Sequence, residues 1–313
     1  MKDNKKYKYI RILGIVLFIY ILSRINLREI SLIIKNIDIF YLLISVSALS
    51  LTYLIGILKW RILTNSQNLK VPFRFLGRAY FKAFFLGMVT PGRIGEFWRT
   101  KYLTDVAEIS NGKAFYTVFI DRLIDIIVII VVSIAGVINF LLFNEMENEW
   151  IIIGPILFLS VFIFYFLARK EKSKNLLKFG LKLFIPFSFR SKIDSFFDEF
   201  FEGMKKLNLG LFLKLMGYGL FYYLISIFFY YFLALSLGIP ISFFHVFLIV
   251  AIVWLLLIIP VTILGVGTRD AGYIFFFTIL NIKIPLAVAF STTILIISIL
   301  SVIPGMILFL RDK

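Results

Sequence analysis

The segment TPGRIGEFWRT, Thr90 to Thr100, follows the apolar run FKAFFLGMV (81–89) and decides how this chain is read. Proline lacks a backbone N–H and glycine favours open conformations, so a helix that enters at 81 stops at Pro91-Gly92. Arg93, Glu96 and Arg99 follow at once, and an ionisable side chain inside a membrane helix costs about 3 kcal/mol on insertion scales. Such a segment is either a loop outside the bilayer or a broken hairpin enclosed by protein. The charges on either side of it decide between the two.

The surrounding chain has the composition of a polytopic membrane protein. Of 313 residues, 61% are hydrophobic and 37 are Phe, beyond the near-half apolar share of soluble domains. Five stretches approach or exceed the roughly 20 residues that cross a hydrocarbon core: Ile39–Leu58, Ala114–Phe143, Trp150–Ala168, Leu211–Leu237 and Leu286–Leu310. No stretch is left for a soluble domain, so residues 1–313 are read as a single transmembrane domain. The opening MKDNKKYKYIRILGIVLFIYILSRIN mimics a signal peptide without a small-residue cleavage site, and Ile12–Ile25 is expected to remain as a short helix. With no Cys and the single His245, thiolate and imidazole metal clusters are excluded, and neither a metal nor a cofactor is expected. The net charge of +16 lies between apolar spans, a positive-inside pattern rather than a nucleic-acid-binding one.

Loop charge sets the expected orientation. Five basic residues against one acid precede Ile12, and six basic residues with no acid run from Lys59 to Lys82. Both segments are read as cytoplasmic, as is 169–214, whereas NEMENEW (144–150) is acidic and reads as external. Ile39–Leu58 therefore exits to the inside and Ala114–Phe143 starts there, so the intervening segment, about 73–113, enters and returns on one side. The same reasoning makes 243–281 a second re-entrant hairpin, broken between Pro260 and Gly267. Both termini are expected in the cytoplasm of a cell-membrane protein.

The halves also align. FYLLIS (40–45) matches FYYLIS (221–226), LKVPFRF (69–75) matches LGIPISF (237–243), Pro91 pairs with Pro260, and AFYT (114–117) matches AFST (289–292). The expected fold is thus all-α, with about six full spans and two broken hairpins in inverted repeats: 39–143 and 211–310, joined by a cytoplasmic amphipathic segment within 169–210. In that segment SKIDSFFDEFFEGMKKL (191–207) is expected to form a helix whose apolar face lies on the membrane interface.

The ionisable residues concentrate at the breaks. Arg93, Glu96 and Arg99 flank the first, Arg269 and Asp270 the second, and FIDRLID places Asp121, Arg122 and Asp125 on the next helix. Asp121 and Asp125 share a face one turn apart, with Arg122 within reach of Asp125. Two readings stand at this point: structural ion pairs, or an anion site in which guanidinium groups and exposed helix N-termini bind phosphate. Gly92, Gly95, Gly265 and Gly267 would let backbone approach such an anion closely.

TPGRIGEFWR, AFYTVFIDRLIDIIV and IPVTILGVGTRDAGY, in that order, resemble the flippase-like integral membrane family that includes the transmembrane region of lysylphosphatidylglycerol synthase. The resemblance covers about residues 10–310. Pro91, Gly95, Glu96 and Arg99 meet its Pro-x-x-x-Gly-Glu-x-x-Arg pattern; Asp121, Arg122 and Asp125 meet an acidic-Arg-x-x-Asp pattern. Gly265, Gly267 and Asp270 meet Gly-x-Gly-x-x-Glu, with Asp in place of Glu. The last helix offers Ser291, Thr292 and Thr293 where relatives often carry arginine, and no aminoacyl-transferase domain is expected in a chain that ends at Lys313.

The resemblance implies movement of a phosphate-bearing or otherwise anionic lipid, a phospholipid or a polyprenyl-phosphate-linked one, between leaflets. The chain is expected to be no enzyme, with membrane lipids as partners, no nucleic acid, and an open oligomeric state. The alternatives are a coupled transporter of a small soluble anion and, third, a lipid-phosphate transferase using the Asp121–Asp125 pair.

Overall fold

A computed structural model describes residues 33–143, 190–257 and 265–311. The expected Ile12–Ile25 helix, the Trp150–Ala168 span and the break at Pro260 lie outside these residues. Every regular element among the described residues is helical: α1 (Ile39–Ser66), α2 (Phe73–Val89), a 3-10 segment (Pro91–Trp98), α3 (Arg99–Ala107), α4 (Asn111–Phe143), α5 (Arg190–Lys205), α6 (Leu209–Ser236), α7 (Phe243–Leu257), α8 (Thr268–Ile279) and α9 (Ile284–Arg311). Three of them, α1, α6 and α9, are long and apolar enough to cross a membrane; α7 is a shorter apolar helix.

Local chemistry sets the ends. Asp38 caps α1 by accepting from Phe40 N at 2.8 Å, and Asn208 caps α6 by accepting from Leu211 N at 2.8 Å. Both helices are 28 residues long, and both end before a left-handed residue, Asn68 (φ 63°) and Gly238 (φ 67°). The helix α2 stops at Val89 because Pro91 forces Thr90 into an extended conformation, φ −108° and ψ 144°. From there the 3-10 segment folds back along α2.

Equivalent local geometry recurs 170 positions on, as the caps Asp38 and Asn208 and the turn residues Asn68 and Gly238 illustrate. The bonds Leu69 N to Thr64 O (3.2 Å) and Ile239 N to Ala234 O (3.0 Å) keep the same spacing. None of the expected alignments keeps this register, LKVPFRF and LGIPISF being 168 positions apart and Pro91 and Pro260 169. FYLLIS and FYYLIS, 181 positions apart, are displaced by about three helical turns. AFYT and AFST, 175 positions apart, are displaced by five residues. Short apolar words recur readily in so biased a composition, whereas caps mark where helices begin.

The helices α1 and α6 pack side by side and antiparallel: Asp38 N donates to Ser236 O at 2.8 Å, and Ser45 Oγ donates to Phe229 O at 2.8 Å. Around this pair, α2 packs on α9 and α7 on α4. The two outer contacts use matching points. Gly305 of α9 lies so close to α2 that a Cβ there would stand 2.1 Å from Phe81 O, and Ser133 of α4 donates to Ala251 O of α7 at 2.7 Å.

The amphipathic helix forms as α5, but protein covers much of its apolar face. Phe196 and Phe200 pack at a tilt against Phe115 of α4 with ring centres 5.3 and 6.0 Å apart, and Phe201, Met204 and Leu207 are buried.

Candidate functional site

The hairpin break is built by small residues. Thr90 Oγ1 donates to Leu86 O at 2.8 Å and accepts from Gly95 N at 2.8 Å, which ties the 3-10 segment to the end of α2. A Cβ on Gly95 would lie 2.2 Å from the Leu86 carbonyl, and one on Gly87 would lie 2.5 Å from Glu96 Cγ. These two glycines let the returning chain bring Glu96 against α2 and point it at α4.

There the charges meet. Asp121, with a fully buried side chain, has Oδ1 3.1 Å from Lys59 Nζ and Oδ2 2.8 Å from Arg99 Nη2 and 3.1 Å from Arg122 Nη2. Asp125 pairs with Lys59 and, at 3.1 Å, with Arg122. Glu96 lies 2.7 Å from both Arg93 Nε and Arg122 Nη1, and 4.0 Å from Arg99 Nη2. The Arg99 guanidinium also sits 5.0 Å from the Trp60 ring and 5.5 Å from the Tyr80 ring, a desolvated cation–π arrangement. Trp60 is itself held by a 3.1 Å bond from Nε1 to Thr117 Oγ1.

Six expected site residues, Arg93, Glu96, Arg99, Asp121, Arg122 and Asp125, thus form one connected ion cluster. It has a closed and an open side: Arg99 and Asp121 are buried, Arg122 and Asp125 are each 21% exposed, and the Arg93 side chain is 52% exposed. Arg93 adopts a left-handed backbone, φ 56°.

Lys59 is a correction to the loop reading. It counted among the cytoplasmic basic residues, yet α1 continues to Ser66, and Lys59 lies within it, 2% exposed, between two carboxylates of α4. Lys82 likewise lies inside α2, with its ammonium 5.1 Å from the Tyr102 ring. The signal for Lys59 was legible: no Gly or Pro follows until Pro72, and the buried stripe Thr52, Gly56, Lys59, Trp60, Leu63 keeps helical spacing.

Arg269 and Asp270 form a second, smaller group at the start of α8. Arg269 Nη2 lies 3.1 Å from Asp270 Oδ1, and its Nε donates to Ser291 Oγ at 3.1 Å, while Ser291 also donates to Asp270. Asp270 Oδ2 accepts from Gly267 N at 2.8 Å, which places a carboxylate on the positive end of the helix. Gly265 and Gly267, at φ 71° and 88°, supply the turn a residue with a Cβ would strain. Ser291 of α9, bonded to both side chains, is an integral member of the group.

Between the groups runs one face of α6, with Tyr222, Ser226 and Tyr230 at successive turns. Lys59 Nζ is 5.9 Å from the Tyr222 ring, and the Tyr230 hydroxyl accepts from Trp254 Nε1 at 3.1 Å.

An all-helical bundle with membrane-length apolar helices, folded around a buried ion cluster at a helix break, defines a helical membrane protein with an internal polar site. Residues 10–308 match the family described as the lysylphosphatidylglycerol synthase TM region, and the chain belongs to that family. It is 25% identical over 304 residues to the UPF0104 membrane protein MJ1595 of Methanocaldococcus jannaschii, covering 91% of this chain and 88% of that one. The chain is accordingly a multi-pass membrane protein. No solved structure matches it.

Proposed function

We propose that this protein moves an anionic, phosphate-bearing lipid between membrane leaflets, through a polar pocket formed where two inverted halves meet, and that it performs no covalent chemistry. The observation that carries this reading is the ion cluster. Seven charged side chains gathered at a helix break, three of them partly exposed, are costly in a membrane bundle unless they serve a polar cargo.

Inversion of the halves is supported by the register itself. The helices α1 and α6 are equivalent in length and caps and run antiparallel, and the contacts of α2 with α9 and α7 with α4 exchange under the same relation. In inverted-repeat transporters a broken helix from each half supplies the midplane site; 73–113 and 243–281 would be those elements here, on a chain with both termini cytoplasmic. The transferase alternative is disfavoured because Lys59 occupies the space between Asp121 and Asp125 that a metal ion would need.

The test is reconstitution into liposomes carrying a trace of fluorescent phospholipid, with dithionite bleaching the outer leaflet. Protein-containing vesicles should lose nearly all fluorescence and protein-free vesicles about half. Equal bleaching in both would remove the lipid reading, and uptake of a labelled soluble organic phosphate would then favour the coupled anion transporter.

A further inference from the structure

The ion cluster does not balance. Among the described residues, Lys59, Arg93, Arg99 and Arg122 contact three carboxylates, Glu96, Asp121 and Asp125. The two aspartates are taken up by Lys59, Arg99 and Arg122, and Glu96 is divided among Arg93, Arg99 and Arg122. The surplus positive charge therefore falls to Arg93, whose carboxylate partner is shared and whose side chain is 52% exposed. Its backbone is left-handed, a conformation that Asn or Gly adopts more cheaply than Arg. An arginine held there, at the open edge of a buried cluster, is placed for a ligand rather than for the fold.

Its surroundings suit an organic anion. The Phe84 ring lies 5.5 Å from the Arg93 guanidinium. Tyr222 and Tyr230 lie on one face of α6, and the Tyr222 ring is 5.9 Å from the Lys59 ammonium of the cluster. Phenolic hydroxyls donate to anionic oxygens while their rings tolerate acyl chains. Tyr230 accepts from Trp254 Nε1 at 3.1 Å and its ring lies 6.4 Å from that of Phe290, the neighbour of Ser291, so the tyrosine face runs from the ion cluster toward the Arg269 group.

We infer that Arg93 and the tyrosine face of α6 form a one-anion subsite that takes the singly charged phosphodiester of the cargo, brings the cluster to neutrality and leads toward Arg269. This rests on the transport reading above and adds to it the contact residues and the charge they accept. Arg99, buried against Trp60, Tyr80 and Asp121, becomes a support of the platform.

The experiment compares wild type, Arg93→Asn, Arg93→Lys, Asp125→Asn and Tyr230→Phe in proteoliposomes at pH 8. Tracers are fluorescent phosphatidylglycerol, with one negative charge, and phosphatidic acid, which there carries nearly two. Asparagine suits the left-handed position, so Arg93→Asn should melt like wild type while slowing phosphatidylglycerol about tenfold, the effect of one lost charge-assisted bond. Arg93→Lys should restore most of that rate, and Tyr230→Phe should cost about threefold. Asp125→Asn, which doubles the surplus, should shift preference toward phosphatidic acid by about tenfold.

Wild-type rates in Arg93→Asn, or an unchanged lipid preference in Asp125→Asn, would overturn the subsite while leaving transport intact. If wild type moves no lipid, the transport reading falls, and calorimetric titration of the detergent-solubilised protein with glycerophosphoglycerol decides the subsite. Binding lost in Arg93→Asn upholds it for a soluble anion, and equal binding in both proteins overturns it.

Discussion

Replacing Asp121 with Asn tests whether the ion cluster holds the bundle together. The carboxylate has cations at 2.8, 3.1 and 3.1 Å. At an effective dielectric of about 20, each pair contributes roughly 5–6 kcal/mol of Coulomb energy. Desolvation of four buried ions consumes most of that sum, so the net worth of the arrangement is modest, but its disruption is not. Removing one partner of a buried pair leaves uncompensated charge and costs about 3–5 kcal/mol. Asp121→Asn raises the cluster surplus from one positive charge to two, with Lys59 and Arg99 unable to reach water. At roughly 1.5 °C per kcal/mol, from about 2.1 cal/mol/K of unfolding entropy per residue over 313 residues, the midpoint in detergent, followed by size-exclusion fluorescence, should fall by about 5–8 °C. Lys59→Met should rescue part of this loss, because it removes one of the stranded charges. A double-mutant cycle should therefore show coupling of at least about 1 kcal/mol. A wild-type midpoint in Asp121→Asn, or strictly additive effects in the cycle, would refute the reasoning.

Two further perturbations probe the breaks. Gly95→Ala places a methyl group 2.2 Å from the Leu86 carbonyl. It should cost about 1–3 kcal/mol and lower transport by displacing Glu96 from Arg122; an active, wild-type-stable variant would mean the 3-10 segment does not seat as described. Ser291→Ala withdraws a hydrogen bond from Arg269 and one from Asp270. It should lower stability by about 1–3 kcal/mol, read as a lowered melting midpoint, whereas Thr292→Ala, next to it, serves as the control.

Much of this protein is legible from residue order because its determinants are local. Apolar length marks α1, α6 and α9. Pro91 ends α2 through the steric effect of its ring on Thr90, and the pattern at Phe196, Phe200 and Met204 announces α5. Charges next to helix breaks point to Glu96, Arg99, Asp121 and Arg269 before any contact is known. What chain order does not carry is the identity of partners across the bundle. Lys59 reads as a loop cation until α1 is seen to continue past it, and its aspartates lie on α4, 62 and 66 positions away. The local pairs, Glu96 with Arg99 and Arg122 with Asp125, are parts of one network in which Arg122 bridges both, because α4 presents its acids to α1 and to the 3-10 segment at once.

Residue order by itself thus determines where helices run, where they break, and that charge gathers at the breaks, since caps, prolines and apolar runs act within a few residues. Only the tertiary structure decides that the gathered charges number four against three among the described residues, that Arg99 is enclosed while Arg93 is open, and that a tyrosine face of α6 runs between the two ion groups. Those outcomes depend on which helices touch, and the antiparallel contact of α1 with α6 joins groups nearly two hundred residues apart in the chain.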